Sequence, residues 1–158
     1  MEPGADSLIT SLQNTQVKEL VKLRQRRTRD LKGQYLIEGY RELSRALIGE
    51  VPIKTLYYCP SFFLGSNENT LITSLKQKGV SCISCSESVF SKISYRDRPD
   101  GLLACADKHY YELDQLIYKN KAPFLLIAAE IEKPGNLGTM LRSADAVGVD
   151  AVISVDRV

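Results

Sequence analysis

Between residues 34 and 107 the chain alternates short β-branched and aromatic runs with amphipathic stretches, and this alternation limits the possible fold more than any other feature. QYLIEG reads as a strand, GYRELSRALIGE as an amphipathic helix, and IKTLYYC as a strand closed by Pro60. NTLITSLKQKG follows as a helix ended by Gly79, VSCIS as a short strand, SESVFSKIS as a helix, and GLLACAD as a strand after the turn RDRPDG. Strand, helix, strand repeated three times predicts an α/β domain whose mixed or parallel sheet carries helices on both faces. At 158 residues there is room for one such domain plus a fragment of another. An apolar fraction of 44% is enough to build a packed core and argues against wholesale disorder.

Upstream, NTQVKELVKLRQRRTRDLK predicts a single helix over residues 14–32, with Asn14 as N-cap and Val17, Leu20, Val21 and Leu23 on one face. The rest of that helix is cationic: Lys18, Lys22, Arg24, Arg26, Arg27, Arg29 and Lys32 face only Glu19 and Asp30. The net charge of the whole chain is only +2, so it is the distribution of charge that points to a polyanion. A charge run of this kind serves either as a solvated face or as a set of phosphate contacts. In the second case each contact adds about −0.7 to −0.9 to the slope of log affinity against log salt.

Residues 107–122 are polar, with Leu113, Leu116 and Ile117 at helical spacing, and read as a connecting helix or linker. This gives a domain over 1–106, a linker over 107–122, and a C-terminal piece over 123–158 holding one strand, helix, strand unit. PFLLIAA is a continuous apolar run of the kind shown by strands covered on both faces. In EIEKPGNLGTMLRSADAVG, Pro134 and Gly135 read as a tight turn, Asn136 as the N-cap and Gly148 as the C′ residue of a helix. Leu137, Leu141, Ala144 and Val147 then share the face expected to pack on the sheet. Gly138, Arg142 and Asp145 share another. Gly138 leaves space above the Arg142 guanidinium, where a ribose or phosphate could be met by a helix N-terminus and forked donors. The alternative is an ordinary capped junction with an Arg142–Asp145 surface pair worth less than ~1 kcal/mol.

Of Cys59, Cys82, Cys85 and Cys105 only one pair has C-x-x-C spacing, and His109 is the only histidine, so reduced thiols are expected rather than a metal site. No cationic and apolar leader opens the sequence, and no run approaches the ~20 apolar residues that span a bilayer. A cytoplasmic protein with no membrane partner is the expectation. Neither G-x-G-x-x-G nor G-x-x-x-x-G-K-[ST] occurs, which disfavours an unrelated nucleotide-binding α/β protein.

The string EIEKPGNLGTMLRSADAVGVDAVI resembles the first signature motif of SpoU-type RNA methyltransferases, the TrmH group of the SPOUT superfamily. The match runs through Glu130, Pro134, Gly135, Asn136, Gly138, Arg142, Ala144, Ala146 and Gly148. LRQRRTRDLKGQYLIEGYREL, with its basic helix and a strand ending at Glu38 and Gly39, is similar to the substrate-binding domain that precedes the catalytic domain in that family. RDRPDGLLACAD resembles the later loop and strand of the same domain. The resemblance implies a three-layer α/β/α, ribosomal-protein-like substrate-binding domain followed by the first βαβ unit of a trefoil-knot catalytic domain. It implies methyl transfer from S-adenosyl-L-methionine to a ribose 2′-hydroxyl of rRNA or tRNA.

By the same resemblance, Asn136 and Arg142 handle the ribose and phosphate of the target nucleotide, with Glu130, Pro134, Gly135, Gly138 and Gly148 shaping the motif. The basic helix and Glu38 belong to the RNA-binding side. The family binds its cofactor through two later motifs, an Asn-Pro pair and a Ser-Leu-Asn run, and neither occurs in these residues. The chain is therefore expected to bind RNA and to methylate nothing alone. Family members pair as homodimers through the knotted domain, most of which is not included here, so pairing is not expected of this chain. The rival expectation is a non-catalytic RNA-binding module or truncated paralogue. Tyr35, Tyr40, Tyr57 and Tyr58 could stack on unpaired bases, although core positions suit most of them better.

Overall fold

The structure is a computed structural model that describes residues 7–109, 122–131 and 134–155. The chain divides into two compact units, Met1–His109 and Tyr110–Val158. In the first unit the elements run β1 (Leu8–Ile9), α1 (Thr15–Lys22), α2 (Arg26–Lys32), β2 (Gln34–Glu38), α3 (Tyr40–Ile48) and β3 (Ile53–Tyr58). After a short 3-10 turn at Pro60–Phe62 come α4 (Glu68–Gln77), β4 (Ser81–Cys85), α5 (Glu87–Ile93) and β5 (Leu102–Asp107).

The five strands form one mixed sheet in the order β1-β4-β3-β5-β2. β4 runs parallel to β1 and β3, while β5 lies antiparallel between β3 and β2. Successive side chains on a strand point to opposite faces, so the apolar strands feed two cores at once. Tyr57, Cys59, Ile83, Cys85, Leu103 and Cys105 join Val17, Leu20 and Leu23 of the N-terminal region and Val89, Phe90 and Ile93 of α5 on one face. Leu56, Tyr58, Cys82, Leu102 and Ala104 join Leu43 of α3 and Leu71, Ile72 and Leu75 of α4 on the other. The strand and helix alternation seen in the sequence is therefore realised as a sheet sandwiched between helices. The four cysteines are free and buried inside it, and burial pushes the Cys85 thiol up to about 12, so it stays protonated.

The helix expected over residues 14–32 is two helices. Asn14 does cap α1, its side-chain oxygen accepting the Gln16 N–H at 2.8 Å. The helix stops at Leu23, however, and Gln25 is extended with φ −84° and ψ 130°. The reason lies in the apolar stripe. Leu23 is the last residue of that stripe to be buried, no residue of α2 is buried, and Leu31 is 85% exposed. Beyond Leu23 nothing anchors the chain to the α1 axis. The guanidinium of Arg29 instead turns back and donates to the carbonyls of Leu23 and Arg24 at 3.2 and 2.7 Å, satisfying acceptors left open where α1 ends.

The second unit is described by β6 (Leu125–Ala129), α6 (Pro134–Ala146) and β7 (Ala151–Val155), the two strands pairing in parallel from Leu125↔Ala151 to Ala129↔Val155. Four expectations fail here. Pro134 and Gly135 do not form a separate turn, and Asn136 is not the N-cap. The helix opens at Pro134, where fixed φ and a missing N–H suit the first helical position, so Asn136 lies inside the first turn. Of the face expected to pack on the sheet, Ala144 is buried, whereas Leu141 is 45% and Val147 64% exposed. β6 is not covered on both faces, since Ile127 is 63% exposed. Of the expected linker helix over 107–122, residues 110–121 lie outside the described residues.

Glu68, the first residue of α4, is a buried carboxylate that fixes the loop before it. One oxygen accepts the N–H groups of Leu64 and Gly65 at 3.1 and 2.7 Å. Burial pushes its pKa up, but the N–H groups of Glu68 itself, Gly65, Leu64 and Asn67 outweigh burial and hold it below the ordinary 4.5. A depressed folded-state pKa contributes stability above the unfolded value and loses it as pH falls through the folded one. Glu68→Gln is therefore expected to cost about 1–3 kcal/mol in urea unfolding at neutral pH, the gap narrowing as pH drops below 4.5. A gap that does not change with pH would show that the charge on Glu68 contributes nothing.

Candidate nucleic-acid interface

The seven cations of residues 18–32 divide into three groups. Lys22 and Lys32 both bond to Glu19, and Arg26 lies 3.6 Å from Asp30, which also takes Lys108. The hydrogen bond from Lys108, with the charges of Lys108, Arg26 and Arg29, outweighs desolvation and holds the Asp30 carboxyl below its usual range. Arg24 and Arg29 donate to backbone carbonyls, Arg24 reaching Lys92 O at 2.8 Å and also Ser94 O. Lys18 and Arg27 are exposed and have no partner among the described residues. The exposed pairs are individually weak and exchangeable for phosphate, whereas the carbonyl-bound arginines are committed to the fold yet keep their charge uncancelled.

Glu38 ends β2 and holds the loop that joins α5 to β5. Its carboxylate accepts the Ser94 hydroxyl and, at 2.8 Å, the Tyr95 N–H, while its carbonyl accepts Arg96 Nη2 at 3.1 Å. Arg96 further pairs with Glu42 at 3.2 Å and Asp100 at 3.5 Å, and Asp100 accepts the Tyr40 N–H at 2.9 Å. A Cβ on Gly39 would lie 2.5 Å from Glu42 Oε2 and 2.8 Å from Arg96 Nη1, and its φ of +112° is closed to most side chains. Beside this network is an open groove of about 460 Å³ lined by Tyr40, Arg41, Glu42, Leu64, Gly65, Glu68, Arg96 and Asp100. The charge of Arg96 is already matched by two carboxylates there, so the groove is a poor phosphate site.

In the second unit the carbonyl of Gly135 accepts the Thr139 hydroxyl at 3.1 Å, and Thr139 Oγ1 accepts Arg142 Nη2 at 3.1 Å. A Cβ added to Gly138 would meet Arg142 Nη1 at 3.8 Å and nothing else nearby, so the helix surface beside the guanidinium is open. The side chain of Asn136 is exposed on the first turn. No pair between Arg142 and Asp145 exists among the described residues; Arg142 bonds back along its own helix instead. Past the helix end Gly148 takes φ +72° and Val149 N–H returns to Ala144 O at 3.0 Å. Glu130, where β6 ends, holds the left-handed φ of 53° and donates its N–H to Val155 O at 3.1 Å.

Residues 14–104 match the family model described as the MRM3-like substrate binding domain. Over 148 residues the chain is 34% identical to the 23S rRNA (guanosine(2553)-2′-O)-methyltransferase RlmP of Bacillus subtilis, covering 94% of this chain and 54% of that protein. It belongs to the SpoU (TrmH) family of RNA methyltransferases. Among solved structures, an AdoMet-bound rRNA methyltransferase from Sinorhizobium meliloti superposes with a TM-score of 0.79 at 29% identity, over 96% of this chain and 55% of that one. The SpoU methyltransferase AviRb from Streptomyces viridochromogenes superposes with a TM-score of 0.74 at 22% identity, over 89% of this chain and 51% of that one, a likeness of fold. This SpoU-family chain thus spans about half the length of the curated relatives it matches.

Within this SpoU-family chain, Tyr57 and Tyr58, two of the four candidate stacking residues, are core, and Tyr35 and Tyr40 are half-buried. Tyr95, not among those four, is an exposed aromatic in the loop before β5. The division among the cations yields opposite expectations. Lys18→Ala with Arg27→Ala should flatten the salt dependence of RNA affinity by about 1.4–1.8 in log–log slope, with stability within about 0.5 kcal/mol. Arg24→Ala or Arg29→Ala should lower thermal stability, because each strands backbone carbonyls. Filter binding across a salt series and melting curves on the same variants measure both, and the reverse pattern would refute the division.

Proposed function

We propose that these residues are the RNA-holding part of a methyltransferase that moves a methyl group from S-adenosylmethionine to a ribose 2′-hydroxyl of rRNA or tRNA. The observation that carries this reading is the arrangement on α6: an exposed guanidinium fixed by Thr139, open space beside it at Gly138, and the exposed Asn136 amide on the first turn. The 2′-oxygen that takes the methyl group would give up its proton to water or to a base outside the described residues, the electron pair of the broken methyl–sulfur bond staying on the cofactor's sulfur, and negative charge develops on the oxygen as the proton leaves. A guanidinium stays protonated in proteins and cannot take that proton. Arg142 therefore orients the nucleotide and stabilises the oxygen's developing charge through its forked donors. The amide of Asn136 and the positive end of α6 complete a surface for ribose and phosphate.

The described residues do not themselves fit S-adenosylmethionine. The hollow beside α6, lined mainly by Phe124, Leu126, Met140, Ala144, Val147 and Val149, offers hydroxyls at Thr139 and Ser143 but no charged side chain for the methionine ammonium and carboxylate. Nor do the family's Asn-Pro pair and Ser-Leu-Asn run occur in the sequence. By this reading the 158 residues hold RNA and do not transfer methyl groups by themselves.

Incubating this chain with bulk RNA and methyl-labelled S-adenosylmethionine is expected to give no incorporation into RNA; turnover would refute the division of labour. In a protein that joins these residues to the two later motifs, Arg142→Ala should lower kcat about 10²–10³-fold while leaving the melting temperature nearly unchanged, because the side chain is exposed. Parallel losses of kcat and stability would make Arg142 structural.

A further inference from the structure

We propose that Tyr95 and Arg24 form a preorganised platform on which an unpaired nucleobase of the RNA stacks, a site that rests on the RNA-holding function proposed above. A single exposed tyrosine carries no such meaning by itself. Tyr95 differs in being 51% exposed and immobilised at the same time. Its N–H is held by Glu38 Oε2 at 2.8 Å, its hydroxyl reaches Leu23 O at 3.4 Å, and the Arg24 guanidinium lies over the ring, 5.2 Å from the centroid. Arg24 is fixed in turn by Lys92 O and Ser94 O, and its own carbonyl is held by Arg29 at 2.7 Å.

An exposed side chain normally keeps its rotamer freedom, and binding has to remove it. Here the backbone bond to Glu38, the Arg24 guanidinium over the ring and the hydroxyl contact with Leu23 O restrict it before binding, which is what a stacking surface needs. Arg24 covers one part of the ring with a charge that no carboxylate cancels, so the ring is polarised beneath a cation. Three further cations lie close in sequence to the residues that meet at this platform. Lys92 lies in the last turn of α5, Arg98 stands three residues after Tyr95 and Arg27 three residues after Arg24, and the side chains of all three lack a partner among the described residues. A flat aromatic face backed by a guanidinium matches the π face of a splayed-out base, and the uncancelled charge of Arg24 suits a phosphate that flanks it. A duplex, whose bases are stacked inside, offers no such face.

The test titrates the full 158-residue chain with a single-stranded adenylate oligoribonucleotide of about ten nucleotides carrying one central 2-aminopurine, and with the same strand in a duplex. Stacking predicts quenching of 2-aminopurine fluorescence with the single strand and not with the duplex. Tyr95→Ala should lower single-strand affinity about 5- to 150-fold and abolish the quenching. Tyr95→Phe should retain both within about twofold, and Tyr95→Leu, which keeps apolar bulk without a π face, should restore neither. Circular dichroism of each variant separates these effects from misfolding. If Tyr95→Ala binds and quenches like the parent while Lys18→Ala with Arg27→Ala still flattens the salt dependence, the platform is wrong and RNA holding stands. A parent chain that binds no RNA at low salt overturns both.

Discussion

The carboxylate of Glu38 is the interaction on which the rest of the interface depends. It sits at the end of β2, where Glu38 pairs in register with Leu103 of β5, and takes the Ser94 hydroxyl and the Tyr95 N–H onto its two oxygens. Hydrogen bonds to a charged acceptor contribute about 1.5–3 kcal/mol each, roughly twice a neutral one. They hold the loop after α5 against the sheet, and that loop presents the Ser94 carbonyl to Arg24 and the Arg96 guanidinium to Glu42 and Asp100. Gly39 suits the next position because its φ of +112° is strained for a residue with a side chain, and a Cβ there would also push aside the ends of Glu42 and Arg96. One carboxylate thus sets the positions of a strand end, a loop and, through Arg24, the turn between α1 and α2.

The cationic N-terminal region shows how a folding chain can carry many like charges without one large repulsive face. The guanidinium groups of Arg24 and Arg29, with several donors in a rigid fork, bind carbonyls where α1 and α5 end; Lys22, Lys32 and Arg26 pair with carboxylates at the surface. The first kind of contact is structural and leaves the charge available at long range. The second is electrostatically cheap to break, so a phosphate can replace the carboxylate. Positive potential is therefore spread over the surface, while only a few side chains, Lys18 and Arg27 among them, are unconstrained enough to follow an RNA backbone.

The alternation of strands and helices was legible because the strands feed two cores and so show near-continuous apolar runs, and the amphipathic helices between them show their spacing plainly. β1 escaped notice because two residues, Leu8 and Ile9, carry no periodicity, and their pairing with Ser84 and Cys85 is set by the sheet edge. The break in the basic helix was hidden for a different reason. Good helix formers continue through residues 24–32, and only the tertiary contacts of Arg24 and Arg29 reveal that the apolar stripe has ended at Leu23. At Asn136 two sequence signals compete, since Asn favours the N-cap and Pro134 the first helical position, and the backbone follows Pro134. Tyr95 could not be read at all, since its exposure and its contact with Arg24 join residues 71 apart in sequence.

The two units differ in how firmly they hold what they carry. The first unit has two cores, and its exposed Tyr95 is tied through a chain of polar contacts that ends in a sheet. In the second unit the buried apolar residues among those described are Ala128, Ile131 and Ala144, whereas Phe124, Ile127, Leu141, Val147 and Val155 are exposed. Such a strand, helix, strand layer buries too little apolar surface to be rigid on its own account. Arg142 is held there by one hydrogen bond to Thr139, itself exposed on the same helix. Charge stabilisation at a reacting oxygen requires donors placed to within about 0.5 Å. The precision of Arg142 is therefore not set by its own contacts but by whatever packs against the apolar faces of β6, α6 and β7.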